Sequence, residues 1–95
     1  MHQCDVVIVN YNAGKFLKDA VESTLSFGVA QIIIVDNAST DNSLDLTAQV
    51  RDDRVHISRN AANLGFAAAC NIGIAHVTAE NVLLLNPDCR VTDGT

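Results

Sequence analysis

The chain has 95 residues, a hydrophobic content of 48% and a net charge of −5. This length fits a single domain covering residues 1–95, and the hydrophobic content is that of a globular chain rather than a disordered one. Only six Lys and Arg residues are spread along the chain, so we expect no nucleic-acid partner, because a phosphate backbone requires a clustered basic face.

The first two predicted elements are a strand and a helix. Residues 6–9 form a continuously apolar run of Val and Ile, as in a strand buried on both faces of a parallel sheet. In the segment that follows, Leu17, Val21 and Leu25 recur at i, i+4 and i+8. This spacing predicts an amphipathic helix that stops near Gly28.

A second strand and a second helix are predicted next. Residues 32–35 are again continuously apolar, which predicts another buried strand. Beyond them the sequence 39–41, Ser-Thr-Asp, suits a helix N-cap. Leu44, Thr47 and Ala48 then alternate with polar residues, which predicts the helix itself.

The remaining predicted elements are a strand at residues 55–58, a helix rich in small residues and a continuously apolar strand at residues 82–85. Like the first two strands, the strand at 82–85 is predicted to be buried on both faces. One face of this helix should pack close to the sheet. That face comprises Phe66, Cys70, Gly73, Ile74 and Val77. The order β-α-β-α-β-α-β predicts an α/β fold, an open parallel sheet with right-handed crossovers and helices on both faces. Residues 90–95 complete no further element.

Polar residues follow the carboxyl end of every predicted strand, where open parallel sheets bind their ligands. The segments are Asn10-Tyr11-Asn12, Asp36-Asn37-Ala38-Ser39, Arg59-Asn60 with Asn63-Leu64-Gly65, and Asn86-Pro87-Asp88. A carboxylate at the second strand end can accept a hydrogen bond from a base N–H or a ribose hydroxyl. One at the fourth can hold Mg²⁺ or Mn²⁺, which takes oxygen ligands and bridges a diphosphate.

Three other ligand-binding patterns are missing from these strand ends. Only Gly14 follows the first strand, where a dinucleotide site requires G-x-G-x-x-G. The chain has no Gly-Lys-Ser/Thr of a P-loop. Asn10 ends the first strand, where a phosphate-receiver domain would have an acidic pair. The acidic strand ends therefore favour a nucleotide-diphosphate ligand.

Four segments resemble, in order and spacing, successive signatures of the family 2 glycosyltransferases. They are residues 6–12 (VVIVNYN), 33–41 (IIVDNASTD), 63–67 (NLGFA, with Asn71) and 84–88 (LLNPD). The resemblance covers roughly residues 5–91, and it implies the Rossmann-like, nucleotide-binding half of a GT-A fold. The Asn-Pro-Asp form is similar to the branch that includes rhamnosyltransferases of bacterial polysaccharide synthesis.

The resemblance also implies roles for individual residues. Asn10, Tyr11, Asp36 and Asn37 would contact the nucleoside, and Asp88 would bind the divalent metal. We predict that Asn63 and Gly65 belong to the same nucleotide site, since glycine lets the backbone approach a ligand closely. The chain departs from the family pattern twice. Asn37 stands where many members have a second Asp, and Asn86-Pro87 replaces the leading acid of the metal motif.

The implied reaction is transfer of a sugar, with inversion, from a dTDP- or UDP-sugar to an acceptor hydroxyl. The family's catalytic base belongs to the later half of the domain. We therefore expect no catalytic residue before Thr95, and we expect the 95-residue chain to bind a nucleotide weakly without transferring sugar. The alternative is a self-contained, non-catalytic α/β nucleotide-binding or interaction module.

Three expectations concern partners and location. A chain that stops after the fourth strand should leave apolar surface and a strand edge uncovered, so we predict a homodimer of the fragment. The apolar runs are too short to cross a bilayer, and the N-terminus has no signal-peptide pattern. We predict a cytoplasmic protein, with the full-length form peripheral to the inner face of the membrane.

Overall fold

The computed structural model describes residues 4–87. Its elements in chain order are β1 (Cys4–Asn10), α1 (Lys15–Leu25), β2 (Gln31–Asp36), α2 (Ser43–Thr47), β3 (Val55–Arg59), α3 (Phe66–Ile74) and β4 (Asn81–Leu85). All four strands are parallel. The predicted α/β fold and the predicted order of elements are confirmed.

The sheet has the strand order β3-β2-β1-β4. From β1 the chain moves one way to β2 and β3, and it then returns across the sheet to β4 on the other side of β1. Successive strands are thus added to one side of β1 first and to its other side afterwards, so the strand order reverses between β1 and β4, although all strands stay parallel. The crevice beyond the carboxyl ends of these two strands is a topological switch point, the usual ligand position in an open α/β sheet.

Successive residues of the central strands point to opposite faces of the sheet. On one face Val6 and Ile8 pack against Leu17 and Val21 of α1, as the spacing of that helix predicts. On the other face Val7, Val9, Ile33 and Val35 pack against α3. The predicted helices on both faces are confirmed.

Asp5, at the opposite end of β1, is buried and holds the loop that leads into β4. Its Oδ2 accepts hydrogen bonds from Gln31 Nε2 at 2.7 Å and from the backbone N–H groups of Thr78 at 2.8 Å and Ala79 at 3.1 Å. Burial by itself would raise the pKa of this carboxyl, but those hydrogen bonds and the nearby charge of His56 outweigh it and hold the pKa below its usual value. The carboxylate thus connects β2 and β4 to the strand between them.

Helix α3 packs closely against the sheet, as its small residues predict. Ala69, Cys70 and Gly73 are its buried residues, and a Cβ on Gly73 would overlap Cγ1 of Val7. The prediction that Phe66 and Ile74 belong to the buried face is wrong, because their side chains are 51% and 42% exposed. Ile74 lies roughly a quarter-turn away from the middle of the buried stripe. Phe66 lies on the stripe but beyond the end of the core.

Helix α2 is shorter and begins later than the sequence predicts. It spans five residues and buries Ser43 and Thr47, whereas Ala48 is exposed and Leu44 is only partly buried. The N-cap residue is Asn42, one residue after the predicted segment 39–41, and its side chain makes no capping hydrogen bond. A residue of the predicted segment nevertheless bonds the first N–H of the helix, because Asp41 Oδ1 accepts the N–H of Ser43 at 3.0 Å. Residues 39–41 also form hydrogen bonds to the loop after β1.

Strand β4 is exposed although its sequence is continuously apolar. Val82, Leu83 and Leu84 are all exposed, so the prediction of a strand buried on both faces is wrong for β4. Within residues 4–87, α3 packs over β1 and β2 and leaves the faces of β4 open. The expectation of uncovered apolar surface at this edge is confirmed for the described residues. None of the helices in that range has the length and hydrophobicity that a bilayer crossing requires.

Candidate functional site

A cleft of about 330 Å³ opens at the carboxyl ends of the strands, at the switch point between β1 and β4. Its lining comes from the ends of three strands and the start of α3. The lining residues are Val9, Tyr11, Ala13, Asn37, Asn63, Gly65, Phe66, Asn86 and Pro87. Four of the residues predicted to bind nucleotide, Tyr11, Asn37, Asn63 and Gly65, therefore lie together in one cleft.

Asn37 both lines this cleft and holds the loop that leads into α3. Its Oδ1 accepts hydrogen bonds from Asn60 Nδ2 at 2.8 Å and from Leu64 N–H at 3.3 Å. Its Nδ2 donates to the carbonyl oxygen of Gly65 at 3.2 Å. An aspartate could accept the first two hydrogen bonds but could not donate the third. The geometry therefore accounts for Asn37 at a position where many family members have an acid.

Gly65 supplies the sharp turn between that loop and α3. Its φ of +84° is unfavourable for residues with a side chain. Its N–H donates to Asn63 Oδ1 at 2.9 Å, so Asn63 stabilises the turn from the inside. Gly65 is the N-cap residue of α3, so no side chain of the N-cap bonds the N–H groups of the first helical turn. The positive end of the helix therefore begins beside the cleft, where it favours an anionic group.

Asn10 and Asp36 lie at the ends of β1 and β2, but neither lines the cleft. Both are buried, and they are neighbours in the sheet register. Asn10 Nδ2 donates to Asp36 Oδ1 at 2.8 Å, and it lies 2.9 Å from Ser43 Oγ and 3.1 Å from Ser39 Oγ. Asp36 Oδ2 accepts the N–H of Ser39 at 3.0 Å. Contact between these two side chains and a nucleoside remains a prediction.

The loops after β1 and β2 are joined by hydrogen bonds that the sequence analysis did not anticipate. Asn12 Oδ1 accepts the N–H of Thr40 at 2.8 Å, and Asn12 N–H donates to Ser39 Oγ at 2.9 Å. The N–H of Gly14 donates to Asp41 Oδ2 at 2.9 Å. Asn12 adopts a positive φ of 52°, which asparagine tolerates better than most residues. The sequence feature that indicates this loop-joining role is an asparagine two residues after the end of β1.

Asp41 is the charged residue of this connection. The hydrogen bond from the Ser43 hydroxyl, at 2.6 Å, is the main reason that the pKa of the Asp41 carboxyl is lowered. The backbone N–H groups of Ser43 and Gly14 lower the pKa further. The carboxylate is thus kept ionised as a fixed hydrogen-bond acceptor between the two loops.

Two aromatic rings border the cleft. Tyr11 is 53% exposed and extends from the end of β1, as the strand-end rule predicts for a ligand contact. Phe66 approaches from the first turn of α3. The helical spacing of Phe66 predicts a core position. The spacing alone does not show where the sheet beneath the helix ends.

The predicted metal ligand, Asp88, lies outside the described residues. Residues 4–87 contain no group of three or more His, Cys, Asp or Glu side chains arranged to hold a metal ion. The described lining of the cleft offers amide and hydroxyl oxygens and has neither cysteine nor histidine. Such oxygen donors suit Mg²⁺ or Mn²⁺ better than Zn²⁺.

Comparison with known proteins adds an independent line of evidence. The family model described as glycosyl transferase family 2 matches residues 5–95. The chain is 37% identical over 87 residues to an uncharacterised glycosyltransferase of Nostoc sp., covering 87% of this chain and 27% of the relative. It is 34% identical over 93 residues to the glycosyltransferase GlyG of Streptococcus pneumoniae, covering 94% of this chain and 31% of the relative.

A third relative has a more specific name. The UDP-Glc:alpha-D-GlcNAc-diphosphoundecaprenol beta-1,3-glucosyltransferase WfaP of Escherichia coli is 29% identical over 90 residues, covering 93% of this chain and 36% of the relative. The chain thus spans only about a third of the length of the curated relatives it matches. The family model covers nearly the whole chain, and the parallel α/β sheet is the fold that the resemblance implies. The chain belongs to glycosyltransferase family 2.

Proposed function

We propose that the cleft binds the nucleotide part of a nucleotide-diphosphate sugar and that the chain is the donor-binding part of an inverting glycosyltransferase. The observation that supports this most is the convergence of Tyr11, Asn37, Asn63 and Gly65 on one cleft at the switch point. These residues follow three different strands in the sequence, and the fold brings them together.

Each side of the cleft suits a different part of the donor. The exposed ring of Tyr11 offers a face on which a base can stack. The start of α3, with Gly65 as its N-cap, favours the negatively charged phosphates. Asn10 and Asp36 act on the nucleoside through the loops that they hold, since neither side chain lines the cleft.

Asp88 is the proposed ligand of a Mg²⁺ or Mn²⁺ ion, which when bound would offset the charge of the diphosphate leaving group. It follows Pro87, a lining residue of the cleft. The described lining has no carboxylate, and the amide oxygens of Asn37 and Asn63 already accept hydrogen bonds, so Asp88 would be the charged oxygen ligand.

The name of one relative supports a proposal for the donor and acceptor classes. WfaP is named for a UDP-sugar donor and a diphosphoundecaprenol acceptor. For this chain we propose a UDP- or dTDP-activated hexose or rhamnose, and a lipid-linked acceptor that would bring the whole protein to the inner face of the membrane. We place the catalytic base in the portion of the relatives' length that this chain does not cover. On its own the chain should transfer no sugar.

Calorimetry with UDP and dTDP tests donor binding. The 95-residue chain should bind at least one of these nucleotides, and Mn²⁺ should strengthen binding. EDTA or Asp88→Ala should weaken it about tenfold or more, the loss expected for one charged contact worth ~1.5 kcal/mol. Asp53→Ala is the matched control, because Asp53 is exposed in the loop before β3, at the opposite end of the sheet.

The outcomes of this titration are distinct. Binding of neither nucleotide would favour the non-catalytic interaction module. Nucleotide binding that is indifferent to both EDTA and Asp88→Ala would contradict the metal ligand but leave the nucleotide site intact. Sugar transfer by the 95-residue chain would show that the base lies within it.

We further propose that this chain forms a dimer through β4. Its exposed residues Val82 and Leu84 point to one face of the sheet and Leu83 to the other. No charged residue or proline interrupts the strand, and within residues 4–87 its outer edge pairs with no other strand, so that edge lacks the usual protection against pairing. In a two-fold dimer β4 would pair with the β4 of a second copy in antiparallel orientation.

Sedimentation equilibrium tests this association. The wild-type chain should form a concentration-dependent dimer, and Leu83→Lys should make it monomeric by placing a charge in the pairing edge. Ile57→Lys is the matched control, because Ile57 is similarly exposed on the opposite edge strand. A wild-type chain that stays monomeric at all concentrations would refute the dimer, and dimer loss in Ile57→Lys alone would assign the contact to β3.

A further inference from the structure

Phe66 occupies an unusual position on α3. With 100° between successive residues, it lies on the same stripe as Ala69, Cys70 and Gly73, which are all buried against the sheet. Phe66 is nevertheless half-exposed. It is the first residue of the helix, and the helix begins above the carboxyl ends of the strands. A side chain there faces the cleft instead of the core.

The backbone on both sides of this position is held in place. The Gly65 carbonyl accepts a hydrogen bond from Asn37 Nδ2 at 3.2 Å, and the Gly65 N–H donates to Asn63 Oδ1 at 2.9 Å. Helical side chains lean toward the N-terminus of their helix, which directs the Phe66 ring farther over the cleft. The large apolar ring is therefore presented to solvent by a rigid turn.

Tyr11 borders the same cleft from the end of β1. Val9 and Ala13 contribute apolar lining to this cleft, and Asn37 lines it as well. A nucleobase matches such a lining, since its faces stack on aromatic rings while its edge forms hydrogen bonds. A phosphate has no comparable use for two exposed aromatic rings.

We propose that Phe66 is a second aromatic contact for the nucleobase of the donor, in addition to Tyr11. This inference rests on the proposed donor-binding function and names a further base-binding residue of that site. Binding of the base covers the exposed ring of Phe66, so the residue contributes to nucleotide affinity and not to the stability of the core.

Calorimetry with UDP, in the presence of Mn²⁺, provides the test on the full 95-residue chain. Phe66→Ala should weaken UDP binding by about fivefold or more, the loss typical of one base–aromatic contact. Phe66→Tyr should bind within about twofold of the wild type, because it keeps the ring. Ile74→Ala is the matched control, since Ile74 is a similarly exposed apolar residue of the same helix that does not line the cleft.

NMR supplies a readout that a purely structural role would not change. The chain has one tyrosine and three phenylalanines, so the ring signals of Tyr11 and Phe66 can be assigned with single variants. UDP should give nuclear Overhauser effects between the uracil H5 or H6 protons and the Phe66 ring.

The results separate this inference from the function on which it rests. If the wild type binds UDP but Phe66→Ala binds equally well, or loses no more than Ile74→Ala, the second contact is refuted and the nucleotide site remains. The absence of the uracil–Phe66 effect in a saturated complex would also refute it. If the wild type binds neither UDP nor dTDP, both proposals fail together.

Discussion

Gly73→Ala should destabilise the fold by about 1–3 kcal/mol, the usual cost of adding a methyl group to a packed core. An alanine in a helix interior is otherwise more stable than glycine by roughly 0.5–1 kcal/mol. Here its Cβ would overlap Cγ1 of Val7 and come within 3.1 Å of Cγ2 of Val35. Both valines are buried in the central strands, so neither can move aside. Thermal or urea denaturation followed by circular dichroism measures the loss.

A second substitution checks that this contact is the cause. Val7→Ala removes the methyl group that the new Cβ would meet, and by itself it should destabilise through a cavity. In the Val7→Ala background, Gly73→Ala should cost at least about 1 kcal/mol less than in the wild type, because contacting residues are coupled. Additive effects, or a Gly73→Ala variant as stable as the wild type, would show that α3 packs less closely than the structure indicates.

Asn10→Ala should be the most damaging substitution at the strand ends. It would remove the donor that pairs with Asp36 Oδ1 and lies beside the hydroxyl oxygens of Ser39 and Ser43. Leaving a buried carboxylate without this partner should cost about 2–3 kcal/mol of unfolding free energy. The same change should weaken nucleotide binding, because the loops after β1 and β2 would lose their common support. Denaturation and UDP calorimetry on the same variant measure both effects.

Asn10→Asp adds a pH dependence that distinguishes this pair from a simple packing effect. The new carboxyl group, buried beside a second carboxyl group, would have a folded-state pKa above the unfolded value near 4. A raised folded pKa contributes stability that is present below the unfolded pKa and is lost as the pH rises through the folded one. The melting temperature of Asn10→Asp should therefore approach that of the wild type below about pH 4 and fall behind it toward neutral pH.

The exposed Asn71 of α3 provides matched controls for both changes. Asn71→Ala and Asn71→Asp should alter stability by no more than about 0.5 kcal/mol, as is usual for surface positions. If Asn10→Ala were equally mild, the buried hydrogen bonds around Asp36 would not be what holds the two loops. If Asn10→Asp showed no recovery at low pH, its carboxyl group would not lie beside that of Asp36.

The proposed dimer would form through β4, which is an edge strand of the described sheet. This strand has the apolar sequence of a buried strand, yet both faces and one edge are exposed within the described residues. Relatives of this chain are about three times as long. Edge pairing between two copies would cover surface that is unusual for a stable monomer.

Several features could be predicted from the sequence because they depend on neighbouring residues. The strands at β1 and β2 follow from unbroken Val and Ile runs, and the period of Leu17, Val21 and Leu25 predicts α1. The strand-end rule then placed Tyr11 and Asn37 at a ligand-binding edge, where the structure shows them lining one cleft. These signals are local, since side-chain period and backbone preference do not depend on distant contacts.

Only the tertiary structure decided what each of those positions touches. The order β3-β2-β1-β4 determines that the ends of β1 and β4 border the cleft. The pleat turns Asn10 away from the cleft while its neighbour Val9 lines it. Phe66 has the period of a core residue, but the sheet ends beneath it, so its ring faces the cleft. The sequence determined which residues lie at the strand ends, and the tertiary structure decided which of them face the cleft, because burial depends on elements distant in the chain.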